Sequence, residues 1–483
     1  MTSPDTERFI ADVLSRIGAR GVTTAHDDLA PWLSDWRGRY HGAACALLSP
    51  ASTEDVVAIV EESRRHRVAL VPQGGNTSMV GGATPDQDGR AAILSLRRLN
   101  RIRDLSADAG TAIAEAGVIL SDLHDAAAGI GCRFPLTLGA RGSATIGGLI
   151  STNAGGTQVL RFGTMRALVA GVEAVLPDGQ VYRGLAPLKK DNRGYSIDQL
   201  LIGAEGTLGV VTAATLRLVP AIVDRGVAWV GLESPHAALA LLRRLERATD
   251  RIESFEIIPG DSLALVLDHI PGTRAPLAGR HAWHVLIEAV VTDTSGEAPA
   301  RLLERLLADA LGDGVGDDAV VAASEAQAEA MWRIRDSLSE AERAAGPAVQ
   351  HDISVPVASM PDFMIDGVAA MERAWPGTHA TAFGHLGDGN VHFHVRAPAG
   401  VDRDAWYATD AHRITAMVHD LVVAAGGSIS AEHGIGQMKR DELARLGDPA
   451  RLAALRAIKS AFDPLGLFNP GKLVPLAPSA DAP

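Results

Sequence analysis

Residues 72–82 read PQGGNTSMVGG, and residues 139–156 read GARGSATIGGLISTNAGG. A third glycine-rich run, IGAEGTLGVVT, spans 202–212. Each adjoins an apolar stretch with the length and composition of a β-strand. Glycine lets the backbone approach a neighbour closely and turns successive N–H groups toward an anion. Such runs serve either tight turns or a large ligand that carries phosphate. No GxGxxG opens a helix after a strand and no GxxxxGK[ST] occurs, which disfavours a Rossmann nicotinamide site and a P-loop.

Around these runs the chain alternates helix and strand patterns. TEDVVAIVEESRRHR (53–67) predicts a helix running into the strand VALVP, and AAILSL (91–96) and TAIAEAGV (111–118) predict further strands. LSDLHDAAAGI predicts a helix, so the first half is an α+β or α/β domain. From residue 227 onward, strand patterns (VAWVGL, HAWHVLIEAVV) alternate with long helical ones such as AALALLRRLERATD. At roughly 150 residues per domain, 483 residues suggest two or three domains. The start, MTSPDTERFIADVLSRIG, predicts an amphipathic helix capped by Ser3, with Phe9, Ile10, Val13, Leu14 and Ile17 on one face. It lacks a signal-peptide layout, and no apolar run approaches the ~18 residues of a membrane span. Two cysteines, Cys45 and Cys132, do not make a disulfide framework. The expectation is a cytoplasmic protein, with peripheral membrane association left open. A net charge of −13 with interspersed signs and no basic stripe argues against nucleic acid. The Gly/Asp run GDGVGDD at 312–318 lacks the alternating ligands of an EF-hand.

Four long motifs carry a family resemblance: PQGGNTSMVGG, GARGSATIGGLISTNAGG, DNRGYSIDQLLIGAEGTLGVVT and the terminal FDPLGLFNPGKLV. They resemble the FAD-dependent D-2-hydroxyacid dehydrogenases of the vanillyl-alcohol-oxidase superfamily, from about residue 40 to 475. The resemblance implies an α+β fold: a two-part FAD-binding domain, an α/β cap domain, and a C-terminal segment returning to the FAD domain. Expected boundaries are a helical segment at 1–36, the FAD domain at 37–222, the cap at 223–430, the returning segment at 431–475 and a disordered tail at 476–483. It implies cofactor contacts from Pro72, Gly74, Gly75, Asn76, Thr77, Ser78 and Gly82 in the first loop. In the second it implies Gly139, Ala140, Ser143, Thr145, Gly147, Gly148, Asn153, Gly155 and Gly156. Glu205, Gly206, Gly209 and Val210 fall near the adenine-side half, and Asn469 near the flavin ring. Relatives with covalent flavin often carry a histidine in the first loop; Asn76 and Thr77 stand here, so non-covalent FAD is expected.

Residues 383–395, FGHLGDGNVHFHV, crowd three histidines around a turn. Asp388-Gly389 is a two-residue hairpin signal that would set His385 opposite His392, with His394 on the same face. Two imidazoles so placed are either structural or share a metal ion, and a catalytic site needs a third ligand. SAEHGIGQMKR (430–440) offers Glu432 beside His433. The family's metal falls on residues matching His385, His392 and Glu432, with a general base matching His433. Zinc is the first expectation, although these donors also accept manganese, cobalt or iron.

SEAQAEAMWRIRDSLSEAERA (324–344) predicts one helix opened by a Ser324/Gln327 capping box, with Ala328, Met331, Trp332 and Leu338 inward. Arg335 falls in that stripe while Arg333 lies outside it, toward solvent. A buried arginine meets either an internal carboxylate or a ligand anion. The resemblance assigns Arg335 to the substrate carboxylate and Ser339 to a supporting hydroxyl. Gln350 stands where the family usually has lysine, and His394 where asparagine is common; both positions belong to the implied substrate pocket. The implied reaction is oxidation of a small D-2-hydroxy acid to its 2-oxo acid. Electrons would pass to an external acceptor: an electron-transfer flavoprotein, a quinone or a cytochrome. A homodimer is the candidate assembly. Rival readings are an oxygen-using oxidase on the same fold, a metallohydrolase built on the two histidines and the glutamate, and a non-catalytic binding protein.

Overall fold

A computed structural model describes residues 4–475; the Ser3 cap and the expected tail at 476–483 lie outside them. The chain divides into two compact units. One comprises the chain up to Gly156, Phe162–Ala221 and the chain from Glu432; the other comprises Thr157–Arg161 and Ile222–Ala431.

The first unit contains two main sheets. In one, strands Ala46–Leu48, Ala92–Ser95 and Leu70–Gln73 run parallel. The helix Thr53–His66 covers them through Val56, Ile59 and Val60, which are fully buried with Leu48, Leu70 and Leu94. Each such side chain contributes about 1.5–3 kcal/mol. Ser52 caps this helix by accepting the Asp55 N–H, and Arg67 ends it in the left-handed region at φ 57°. The other sheet is antiparallel, with strands ordered 102–106, 111–115, 210–217, 169–175 and 181–183. The N-terminal helix, Pro4–Ile17, buries Phe9 and Val13, but Leu14 is 42% exposed and Ile10 and Ile17 only half-buried. Its apolar stripe is therefore narrower than the sequence suggests.

The C-terminal motif closes this unit. Leu70 N–H donates to the Leu467 carbonyl, and Asn469 N–H donates to the Leu70 carbonyl, both at 2.8 Å. The turn before them is held by Asp463, which accepts the N–H groups of Leu467 and Phe468 and pairs with Lys459 at 2.6 Å. Asp463 of the motif and Lys459 just before it thus satisfy buried backbone, Lys459 Nζ donating to the carbonyls of Thr207 and Phe468.

The second unit is a seven-stranded antiparallel sheet, ordered 318–321, 224–232, 283–291, 252–259, 379–385, 390–396 and 348–354. Alternate side chains of its strands enter an apolar layer with Phe255, Ile257, Val391, Phe393 and the helices Pro235–Ala248, Met360–Ala374 and Ala411–Ala424. The helix expected over 324–344 is instead two, Glu325–Asp336 and Leu338–Ala345, parted at Ser337. Ser324 caps the first, and Gln327 reaches back to the Ala323 N–H. Ala328, Met331, Ile334 and Arg335 face inward while Trp332 is only partly buried. Arg333 is exposed and donates to the Pro271 carbonyl.

The histidine hairpin forms with a different register. His385 opposes Asn390 and Phe383 opposes His392, so residues 386–389 form a four-residue turn. Leu386 causes the shift: it is fully buried and its N–H donates to Phe255 on the neighbouring strand, while Gly389 N–H closes onto the His385 carbonyl. Against the expected pairing the slip is two residues, so every side chain keeps its face.

Candidate active site

In the first unit the three glycine runs converge. A side chain at Gly75 would place Cβ 2.0 Å from the Ser143 carbonyl oxygen, and one at Gly74 would meet Thr145 Oγ1 at 2.3 Å. These two glycines let the first loop lie against the second. Glu205 N–H donates to the Ser151 carbonyl and Gly203 N–H to that of Ile150, which brings in the third run. Asn469 Nδ2 then donates to the carbonyls of Gly82 and Glu205 at 2.9 and 2.7 Å. Asn76, Asn153, Glu205 and Asn469 all adopt left-handed backbone, with φ between 45° and 55°. Strained non-glycine residues of this kind gather at ligand-holding sites. Gly139 and Gly142 face open space, unlike Gly75.

Glu205 is buried, and its two oxygens accept the N–H groups of Ile435 and Gly436, each at 2.7 Å. Burial pushes its carboxyl up to about 6 against the pull of those donors. The HGIG loop after Glu432 is therefore fixed from within the first unit. Its leading end follows a segment of the second unit, where Ser428 bridges Ser354 and Ala431 N–H donates to the Asp352 carbonyl. Glu432, His433 and Gly434 separate Ala431 from Ile435 in the chain, and all three belong to the first unit.

One face of the second unit's sheet is polar in three adjacent cross-strand rows. Glu256, His385, Asn390 and Ser354 form the first row; Phe383, His392 and Asp352 the second; Thr381, His394 and Gln350 the third. The rings of His385 and His392 lie 5.4 Å apart between centroids. Burial and the charge of His385 hold His392 well below the usual imidazole range, which keeps it neutral. Arg335 reaches this face from the helix above and pairs with Glu256, Nε to Oε2 at 2.6 Å. The internal carboxylate considered for Arg335 is thus present. The other oxygen, Oε1, lies 2.7 Å from His385 Nδ1. Burial alone would raise Glu256, but the charges of Arg335 and His385 bring it down to about 2. Ser339 is half-buried in the following helix, beyond the break at Ser337.

Residues 44–184 match the FAD binding domain family, and residues 224–473 match the C-terminal domain family of FAD linked oxidases. The chain is 35% identical to the mitochondrial D-2-hydroxyglutarate dehydrogenase of Arabidopsis thaliana, over 95% of this chain and 80% of that protein. It is also 35% identical to the D-2-hydroxyglutarate dehydrogenase of Xanthomonas citri pv. viticola, over 97% of both. The chain belongs to the FAD-dependent D-2-hydroxyacid dehydrogenase family. A crystal structure of p-cresol methylhydroxylase with substrate bound superposes with a TM-score of 0.76 at 17% identity, covering 98% of this chain and 97% of that one. This places the dehydrogenase in the vanillyl-alcohol-oxidase fold. A metallohydrolase would leave the FAD unit without a role.

The residues of this dehydrogenase fit its FAD. Asn469, 1% exposed, keeps Oδ1 without a hydrogen-bond partner among the described residues, as do buried Gln73 Oε1 and Thr84 Oγ1. Buried acceptors beside a glycine cradle suit the polar edge of a heterocycle. A divalent metal also suits the second unit's donors, since buried His385 and half-buried His392 supply two imidazole nitrogens on one face. No described helix is long and apolar enough to cross a membrane.

Sequence reasoning missed Glu256. Its signal was present in the strand IESFEIIP, where every residue is buried. A carboxylate in so apolar a strand requires a cationic partner, and Arg335 was the cation in need of one.

Proposed function

We propose that this dehydrogenase oxidises a D-2-hydroxy acid to the 2-oxo acid in a metal-dependent reaction and passes the electrons to an external acceptor. The observation that carries the reading is the polar sheet face, where Arg335 and His385 are both fixed by one carboxylate. Non-covalent FAD supplies the hydride acceptor, and a divalent metal, zinc by first choice, supplies a Lewis acid for the substrate hydroxyl. His385, His392 and Glu432 are the proposed ligands. Arg335 binds the substrate carboxylate through its outer N–H groups, and Ser339 donates to the same group. His433 takes the hydroxyl proton as C2 gives up its hydride. Gln350 and His394 line the side-chain end of the substrate. They are directly opposed across the 348–354 and 390–396 strands, so one pocket wall carries both. A glutamine there forms no ion pair with a second carboxylate, which favours a shorter or uncharged side chain over D-2-hydroxyglutarate.

His433→Ala tests the proton transfer. The variant should purify with normal FAD content and lose anaerobic reduction of that FAD by at least ~100-fold, the usual share of a general base. Near-normal reduction in His433→Ala removes the residue from the chemistry.

A further inference from the structure

Glu256 sits centrally in the strand Ile252–Pro259, directly across from His385, and is 1% exposed. Its two oxygens do different work. Oε1 lies 2.7 Å from His385 Nδ1, and Oε2 lies 2.6 Å from Arg335 Nε. An ionised carboxylate only accepts, so the proton of His385 must be on Nδ1. Arg335 Nη2, which only donates, stands 3.3 Å from Nε2. Metal binding needs the neutral Nδ1–H form of His385, which both neighbours favour, and displaces any proton from Nε2. Holding the guanidinium at Nε leaves its Nη1–Nη2 edge to grip a planar anion.

We infer that Glu256 is a positioning residue that serves both halves of the site, presenting His385 Nε2 to the metal and the outer edge of Arg335 to the substrate carboxylate. The inference rests on the metal-dependent reading proposed above. A carboxylate behind a metal-bound imidazole orients the ring and raises its basicity, and loss of such a partner typically lowers metal affinity 10–100-fold. Here the same carboxylate is also the counter-charge of the anion-binding arginine, so metal affinity and substrate KM are coupled through one side chain. A residue with a purely structural role would move neither in a folded protein.

The test uses the full-length, FAD-loaded protein as wild type, Glu256→Gln and Glu256→Asp. Zinc affinity is read by chelator competition, and KM and kcat with whichever of D-lactate or D-2-hydroxyglutarate reduces the wild-type flavin. Glu256→Gln has one acceptor for two donors. It should bind zinc about 10–100-fold more weakly and raise KM, with circular dichroism and FAD content unchanged. Glu256→Asp, which keeps the charge, should recover part of both. Folded Glu256→Gln with wild-type zinc affinity and KM overturns the inference; should that variant fail to fold, wild-type values in Glu256→Asp do the same. If instead wild type binds zinc no better than His385→Ala, the metal-dependent reading itself falls, and the Glu256 inference with it.

Discussion

Glu205 and Gly436 lie 231 residues apart in the chain, yet the Gly436 N–H donates to Glu205 Oε2 at 2.7 Å. With Ile435 on its other oxygen, Glu205 fastens the loop that carries Glu432 and His433 to the glycine cradle. Glu205→Gln keeps the volume but turns an amide N–H₂ toward a backbone N–H. Faster deuterium uptake over 434–436 is the expected outcome, with flavin reduction falling more steeply than FAD content. Unchanged exchange in that loop would contradict this role.

The glycine cradle makes a paired prediction. Gly75→Ala would force Cβ to 2.0 Å from a backbone oxygen, whereas nothing lies within 4 Å of a Cβ at Gly139. Overpacking of this kind costs ~1–3 kcal/mol or more. Gly75→Ala should lower the melting temperature of the apoprotein. Gly139→Ala should leave that temperature alone and weaken FAD binding, read by ultrafiltration of free flavin. A Gly139→Ala protein that holds FAD normally would remove that part of the cradle from the cofactor.

His284 sets a pH dependence away from the proposed metal. Its Nδ1 accepts the indole N–H of buried Trp229 at 3.1 Å. Burial, with a smaller push from His281, lowers its pKa to about 4. The folded state thus binds fewer protons than the unfolded one between about 6.5 and 4. Stability is complete above about 6.5 and is lost as pH falls toward 4, by about 3 kcal/mol. Urea unfolding at pH 7 and pH 4.5 should show a smaller difference in His284→Gln than in wild type. An equal difference in both proteins would assign the acid sensitivity elsewhere.

Removal of the proposed metal has its own signature. His392→Ala should reduce bound zinc, measured by atomic emission after dialysis, to the level of chelator-treated wild type. FAD should stay bound, because its cradle lies in the first unit. Full zinc occupancy in His392→Ala would exclude the residue as a ligand.

Much of the fold was legible because its signals are local. The helix over 53–66 follows from the Ser52 cap and a 3.6-residue apolar period, and the strands over 92–95 and 111–115 follow from short apolar runs. The face shared by His385, His392 and His394 was legible because alternation is insensitive to a two-residue slip. The turn register was not, because Leu386 is drawn away by Phe255, a neighbour 131 positions earlier that no hairpin rule contains. Ser337, which parts one apparent helix into two, carries no breaker signal. Glu256 escaped notice for a related reason. Its partners lie 79 and 129 residues away, so its meaning depends on a strand order that periodicity does not supply.

The central claim is that this chain draws a hydride from C2 of a D-2-hydroxy acid and not of its L-enantiomer. The visible spectrum of the purified protein, recorded anaerobically during titration with D- and L-lactate and D- and L-2-hydroxyglutarate, tests it most directly. A yellow protein whose flavin bands bleach with at least one D-acid and with neither L-acid is the predicted result. Bleaching by the L-acids alone, or a flavin that no hydroxy acid reduces, would contradict it.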